Sequence, residues 1–257
     1  MLKSGAILNR LYEMIEPAAQ NLCIADMRIG LSYVGIKLDN EAAGIAAVLP
    51  ESSIRCCTVL KEAGTFIGSP AVETLKCLIE GKNPLRRAIG VATANALVSL
   101  TTRDNEDREA TTYLHLKPGE KVVMVGLFAP LVERIRSTGA MLTILEKNPE
   151  RLKPLSPEDK QKALKDCDVA IITATTLLNN TFEETVDLLG APRSVVLMGP
   201  STPLVPEIFH GTPISHLGGA VVVNSTKVLQ IISEGGGTPA LRPYLHFVNL
   251  INEKSGN

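Results

Sequence analysis

No stretch of this chain runs apolar for anything near 18 residues, so no segment is expected to span a membrane. Basic runs are missing as well. The 26 Lys and Arg are scattered among 27 Asp and Glu, and the resulting net charge of −1 offers nothing to a nucleic-acid backbone. The opening MLKSGAILNRLYEMIEPAAQ lacks the continuous apolar core of a signal peptide; Lys3, Arg10, Glu13 and Glu16 make it an amphipathic helix instead. Cys23, Cys56, Cys57, Cys77 and Cys167 follow no regular spacing and form no C-x-x-C, which points to a reducing, cytoplasmic setting. His115, His210, His216 and His246 stand apart, without H-x-x-x-H or H-E-x-x-H. A preformed Cys/His metal site is therefore not written in the spacing, and the cysteines read as small buried side chains.

What is present is an ordinary globular composition, 45% apolar and 21% charged, in 257 residues: enough for one large domain or two modest ones. The two halves differ in pattern. In residues 1–112, Leu8, Leu11 and Ile15 stripe the first helix. LCIADMRIG and LSYVGIKLD then read as strands around a turn at Gly30, with IAAVLP as a third. A helix starting at Pro70 and stopping before Gly81 is expected to bury Val72, Leu75 and Ile79. LRRAIGVATANALVSL is apolar nearly all round, as a central helix would be. The polar TRDNEDREATTY at 102–113 is the expected linker.

From 113 to 257, strand and helix signals alternate: KVVMVG, MLTILE, DVAIITATT, SVVLMGPS and ISHLGGAVVVN with helices between. Ser156 with Asp159, Thr181 with Glu184, and Ser225 are the expected helix caps. The fold class that follows is α/β, a parallel sheet with helices on both faces, preceded by a smaller α+β domain.

Ligands of open parallel sheets bind at the carboxyl ends of the strands. Those ends carry Gly126–Pro130, Glu146–Pro149, Thr173–Asn179, Gly199–Pro203 and Gly218–Gly219, rich in Gly, Ser, Thr, Asn and Pro. The candidate ligand-binding residues are Gly126, Phe128, Glu146, Thr175, Thr176, Asn179, Gly199, Pro200, Ser201, Thr202 and Gly218, with Asn95 from the central helix. Glu146 stands twenty residues after Gly126, where an acid would meet a ribose diol. The turn itself, VGLFAPL, lacks two of the glycines of G-x-G-x-x-G, and Pro130 removes an amide donor, so a classical NAD site is not expected.

Taken together, IGLSYVGIKLD, GVATANAL, VGLFAP, LEKNP, TATTLLNNT, MGPSTPL and SEGGGT resemble the putative heavy-metal chelation domain family over nearly the whole chain. The resemblance implies an enolase N-terminal-like domain, a Rossmann-like domain, an active site between them and a role in heavy-metal chelation. A small anionic ligand or metal chelate bound between the domains is the first functional expectation. An S-adenosylmethionine- or nucleotide-dependent transferase is the alternative, which leaves metal ion and adenosyl ligand both open as cofactors. A third reading makes Phe128 and the prolines a contact between subunits of a homo-oligomer. No nucleophile–base pair or paired carboxylate stands out, so no catalytic residue is assigned and enzyme status stays open.

Overall fold

The computed structural model describes residues 2–49, 58–100 and 114–251, and the expected linker at 102–113 lies outside them. The first lobe opens with α1 (Ala6–Ala19), followed by an antiparallel meander of β1 (Ile24–Ile29), β2 (Tyr33–Leu38) and β3 (Ala43–Ala47). Short helices α2 (Ala71–Leu75) and α3 (Cys77–Glu80) lead to the long α4 (Pro84–Ser99). Asn83 caps α4 by accepting from the Arg86 amide at 2.9 Å, and Pro84 fills the first turn, where no amide is needed. Every residue of α4 from Arg87 to Val98 is buried, as its all-round apolar pattern requires.

The second lobe runs β4 (Lys121–Val125), α5 (Ala129–Ser137), β5 (Met141–Leu145), α6 (Pro157–Asp166), β6 (Val169–Thr173), α7 (Thr175–Leu178), α8 (Phe182–Asp187), β7 (Ser194–Met198) and β8 (His216–Val222). It finishes with α9 (Ser225–Ser233), α10 (Thr238–Leu241) and β9 (Leu245–Ile251). The sheet order is β5-β4-β6-β7-β8-β9, parallel except for the β8–β9 pair. Strand order reverses between β4 and β6, the switch point at which such sheets take ligands. Among the described residues no helix is long and apolar enough to cross a membrane.

Alternation along the strands divides the core. Val123, Ala170, Ile172, Val195 and Leu197 pack toward α6 and α8, and that cluster continues into α1, α4 and one face of the meander. Val122, Met124, Val169 and Ile171 face Leu131 and Ile135 of α5. The meander's other face, Tyr33 and Ile45, is covered by Val228 and Ile232 of α9. The small sheet is therefore gripped between a helix of each half of the chain.

Several local expectations need correcting. The buried face of the helix after Pro70 is Ala71, Thr74, Leu75 and Leu78, one stripe at helical spacing that passes through the break at Lys76; Val72 is half-buried and Ile79 is 43% exposed because each lies one position beyond that stripe. Ser225 is the first helical residue of α9, and the cap is Asn224, whose side chain accepts from the Lys227 amide at 3.0 Å. Thr181 occupies the cap position of α8 but gives its hydroxyl to Asn179 instead. β9 has no counterpart in the expected strands: it is an antiparallel edge completed only by pairing with β8.

A Cβ at Gly44 would lie 2.2 Å from the Ala96 nitrogen and 2.3 Å from the Ala92 oxygen, both backbone atoms of α4 that cannot swing aside. Gly44→Ala is expected to cost about 3 kcal/mol as overpacking, or roughly 6–12 °C in Tm for a chain of this size. A melting curve within a degree of the parent would contradict this seat.

At the amino edge of the large sheet, Arg193 grips Glu120 through Nε at 2.7 Å and Nη2 at 2.8 Å, and Nη2 also reaches the Leu114 carbonyl. The guanidinium holds the Glu120 carboxyl at about 2, against the usual 4.5. The native state thus binds fewer protons than the unfolded chain in this interval. The pair's contribution is complete above about 4.5 and is lost as pH falls through about 2. Urea midpoints measured across that range should fall less steeply in Glu120→Gln than in the parent.

Candidate functional site

The carboxyl edge is built first by the turn after β4. Gly126 has φ 85°, and a Cβ there would lie 2.8 Å from Thr173 Cγ2, so both backbone conformation and the approach of β6 demand glycine. The amides that follow are spent inside the protein. Gly126 donates to the Leu145 carbonyl at 2.8 Å, Leu127 to Glu146 Oε2 at 3.1 Å, Phe128 to Met124 Sδ at 3.4 Å and Leu131 to the Phe128 carbonyl at 2.9 Å. In a pyrophosphate cradle the amides at this turn point at the ligand.

Glu146 is the centre of that arrangement. Its side chain is only 9% exposed. Oε1 accepts from the Asn148 amide at 3.0 Å, and Oε2 accepts from the Leu127 amide and from Arg151 Nη1 at 3.0 Å. Arg151 Nη2 returns to the Leu127 carbonyl at 3.0 Å, so both polar groups of the Leu127 backbone are held by this ion pair. Phe128 stands at the cap position just before α5 and packs with the cluster of Leu131 and Ile135.

At the end of β6 two hydroxyls meet: Thr173 Oγ1 and Thr175 Oγ1 lie 3.0 Å apart, both on partly exposed residues. Thr176 is turned inward, 3% exposed, and donates to the Thr173 carbonyl at 2.7 Å. Asn179 closes α7 and accepts from Thr181 Oγ1 at 2.6 Å. On β7 the chain leaves through Gly199, φ 122°, whose absent side chain would meet no described atom within 4 Å. Pro200 follows, partly exposed.

The remaining candidates lie inside the junction of the lobes. Asn95 Nδ2 donates to the Ile45 carbonyl at 3.0 Å and to the Pro200 carbonyl at 3.3 Å, linking α4 to β3 and to the turn after β7. Ser201 Oγ accepts from the Ala47 amide at 2.8 Å. Ser201 and Thr202 are 2% and 1% exposed, and Thr202 Oγ1 is enclosed with no hydrogen-bond partner among the described residues. Gly218 lies within β8, opposite Met198, and β8 runs four residues further, so Gly218–Gly219 is strand interior and not a strand end.

Three residues that the sequence pattern does not single out complete the arrangement. Thr173 supplies the second hydroxyl, and Arg151 closes the β4 turn. Arg87 is buried and donates to the Leu178 carbonyl at 2.5 Å and the Gly81 carbonyl at 2.6 Å, tying α4 to α7; burial pushes its pKa down. An arginine inside an otherwise apolar helix was the available signal for the last of these.

The donors on this edge fit hard, oxygen-bearing ligands. They do not fit a bare thiophilic metal, which takes thiolate or imidazole. Among the described residues no three His, Cys, Asp or Glu side chains gather at one place. Cys77 and Cys167 are buried, and burial pushes both thiols up, Cys167 to about 11, away from the thiolate.

Asn95→Ala would leave the Ile45 and Pro200 carbonyls without their partner in a buried junction. It is expected to cost about 1–3 kcal/mol, read as a lower denaturant midpoint. Ser201→Ala, which strands the Ala47 amide, should cost a similar amount; two variants as stable as the parent would show that these bonds do not join the lobes.

Residues 109–251 match the model of a family described as "Putative heavy-metal chelation", and residues 12–98 match a second model with the same description. An uncharacterized protein of Methanocaldococcus jannaschii is 22% identical over 236 residues, 87% of this chain and 88% of its own. A crystal structure of a protein of unknown function from Pyrococcus horikoshii superposes with a TM-score of 0.79 at 22% identity, over 95% of this chain and 99% of that one. One from Desulfitobacterium hafniense, also of unknown function, gives 0.80 at 20% identity, over 96% and 98%. At these identities the likeness establishes the fold.

Proposed function

The chain belongs to the family described as "Putative heavy-metal chelation", and we propose that it binds a small carboxylate-bearing anion, or the anionic complex of a metal with such a chelator. The site is the carboxyl edge of the six-stranded sheet, beside the junction with the small lobe. The observation that carries this reading is the partly exposed hydroxyl pair Thr173–Thr175, with the open, side-chain-free backbone of Gly199 at the neighbouring strand end.

Hydroxyls donate to carboxylate oxygens, and glycine lets a flat ligand lie close to backbone. In this reading the metal keeps the donors of its chelator, and the chain recognises the periphery of the complex. That division accords with hard oxygen donors on the edge and with the buried thiols of Cys77 and Cys167, which burial holds away from the thiolate. A nucleotide- or S-adenosylmethionine-dependent transferase draws less support, because Glu146 turns its carboxylate to Leu127 and Arg151 where a ribose diol would need it.

Calorimetric titration with citrate, nickel(II) citrate, nickel(II) alone and S-adenosylmethionine tests the reading. Citrate or its complex is expected to bind, and Thr175→Val to weaken it about tenfold, the worth of one hydrogen bond to a charged group. Equal affinity in Thr175→Val and Gly199→Val would overturn the placement. Binding of nickel(II) alone as tightly as its citrate complex would overturn the chelate.

A further inference from the structure

The turn after β4 and the loop after β5 together carry the donor set of an anion site. Two backbone amides, Leu127 and Asn148, and one guanidinium, Arg151, converge on a single carboxylate at 3.0–3.1 Å. Amides in a turn joined by an arginine are what protein chains use to hold phosphate or carboxylate oxygens. The β4 turn also follows the first strand of the sheet at the point where strand order reverses, the place that phosphates occupy in folds of this order.

We infer that Glu146 is a built-in anion: its carboxylate fills the phosphate position of the β4 turn and so restricts the neighbouring edge to ligands without a phosphoryl group there. The side chain is nearly enclosed, and its partner Arg151 is fixed a second time on the Leu127 carbonyl. An incoming phosphate would meet a negative charge in place of a free amide, and it would have to break three hydrogen bonds to displace it. The bare turn sequence GLFAPL points the same way: Pro130 offers no amide as a substitute. The exclusion of phosphate rests on geometry at Glu146 alone; only its bearing on the native ligand rests on the carboxylate-binding reading above.

Removing the carboxylate should leave two amides and a guanidinium around a space the size of a small acid. Glu146→Ala is therefore expected to melt below the parent and to regain stability on addition of acetate, formate or inorganic phosphate. The recovery should saturate at an apparent affinity at least about tenfold tighter than any effect on the parent, with chloride at matched ionic strength as the reference. ADP should bind Glu146→Ala and shift its Leu127 amide resonance, while leaving the parent's unchanged. Glu146→Gln fills the same space without charge and should show no anion recovery. If Glu146→Ala folds poorly, its refolding yield should be higher in phosphate than in chloride, and equal yields would count against the inference in the same way.

Absence of anion-specific recovery in Glu146→Ala would overturn the inference, as would ADP shifting the Leu127 resonance of the parent. None of these measurements uses citrate or Thr175. A failed citrate titration therefore leaves the built-in anion standing, and a failed recovery leaves the carboxylate site standing.

Discussion

The seat of α4 against β3 is the constraint on which the architecture turns. Gly44 lets the helix backbone come within the distance of a missing methyl group, and no larger residue could hold the two so close. From that seat α4 reaches both ways. Asn95 bonds the Ile45 carbonyl behind it and the Pro200 carbonyl, in the turn after β7, ahead. Arg87, two turns earlier, takes the carbonyls of Gly81 and Leu178. Both polar side chains are buried and would be costly unpaired, so their bonds fix the angle at which the small lobe meets the carboxyl edge. The grip of α9 on the opposite face of the meander makes the arrangement two-sided.

This junction divides the polar residues of the strand ends into two groups with different work. Ser201, Thr176 and Asn95 spend their hydrogen bonds inside the protein, joining loop to sheet or lobe to lobe. Thr173, Thr175 and the backbone at Gly199 remain toward the open side of the edge. Polar composition alone groups all of them together. Burial separates them, because a hydroxyl enclosed by apolar packing must bond to its neighbours, whereas one at the rim can exchange water for a ligand.

Glu146 shows how one position can carry a familiar motif and a different chemistry. Its spacing from Gly126 is that of a ribose-binding acid, yet the intervening turn lacks the glycines that would leave amides free. The Leu127 amide consequently bonds to the acid itself, and Arg151 balances the charge. An anion held by amides and a guanidinium is favourable whether it belongs to a ligand or to the chain. Here it belongs to the chain.

Much of the fold was legible beforehand. The all-round apolar run of α4, the β-then-α period after residue 113 and the stripe Leu8, Leu11, Ile15 each report burial through a local periodicity, and each element is where that period puts it. The cap at Asn224, the turning of the Thr181 hydroxyl to Asn179, the exposure of Ile79 and the edge strand β9 were not, since they depend on which neighbour a group meets. The sequence by itself determined a doubly wound sheet behind a small α+β lobe, with its polar loops on one edge. Tertiary structure alone decided which of those loops are struts and which face outward, and that the acid after β5 points at its own turn. The physical reason is range: periodicity is set by residues a few positions apart, while the partner of a buried polar atom is chosen by chain segments brought together only when the lobes pack.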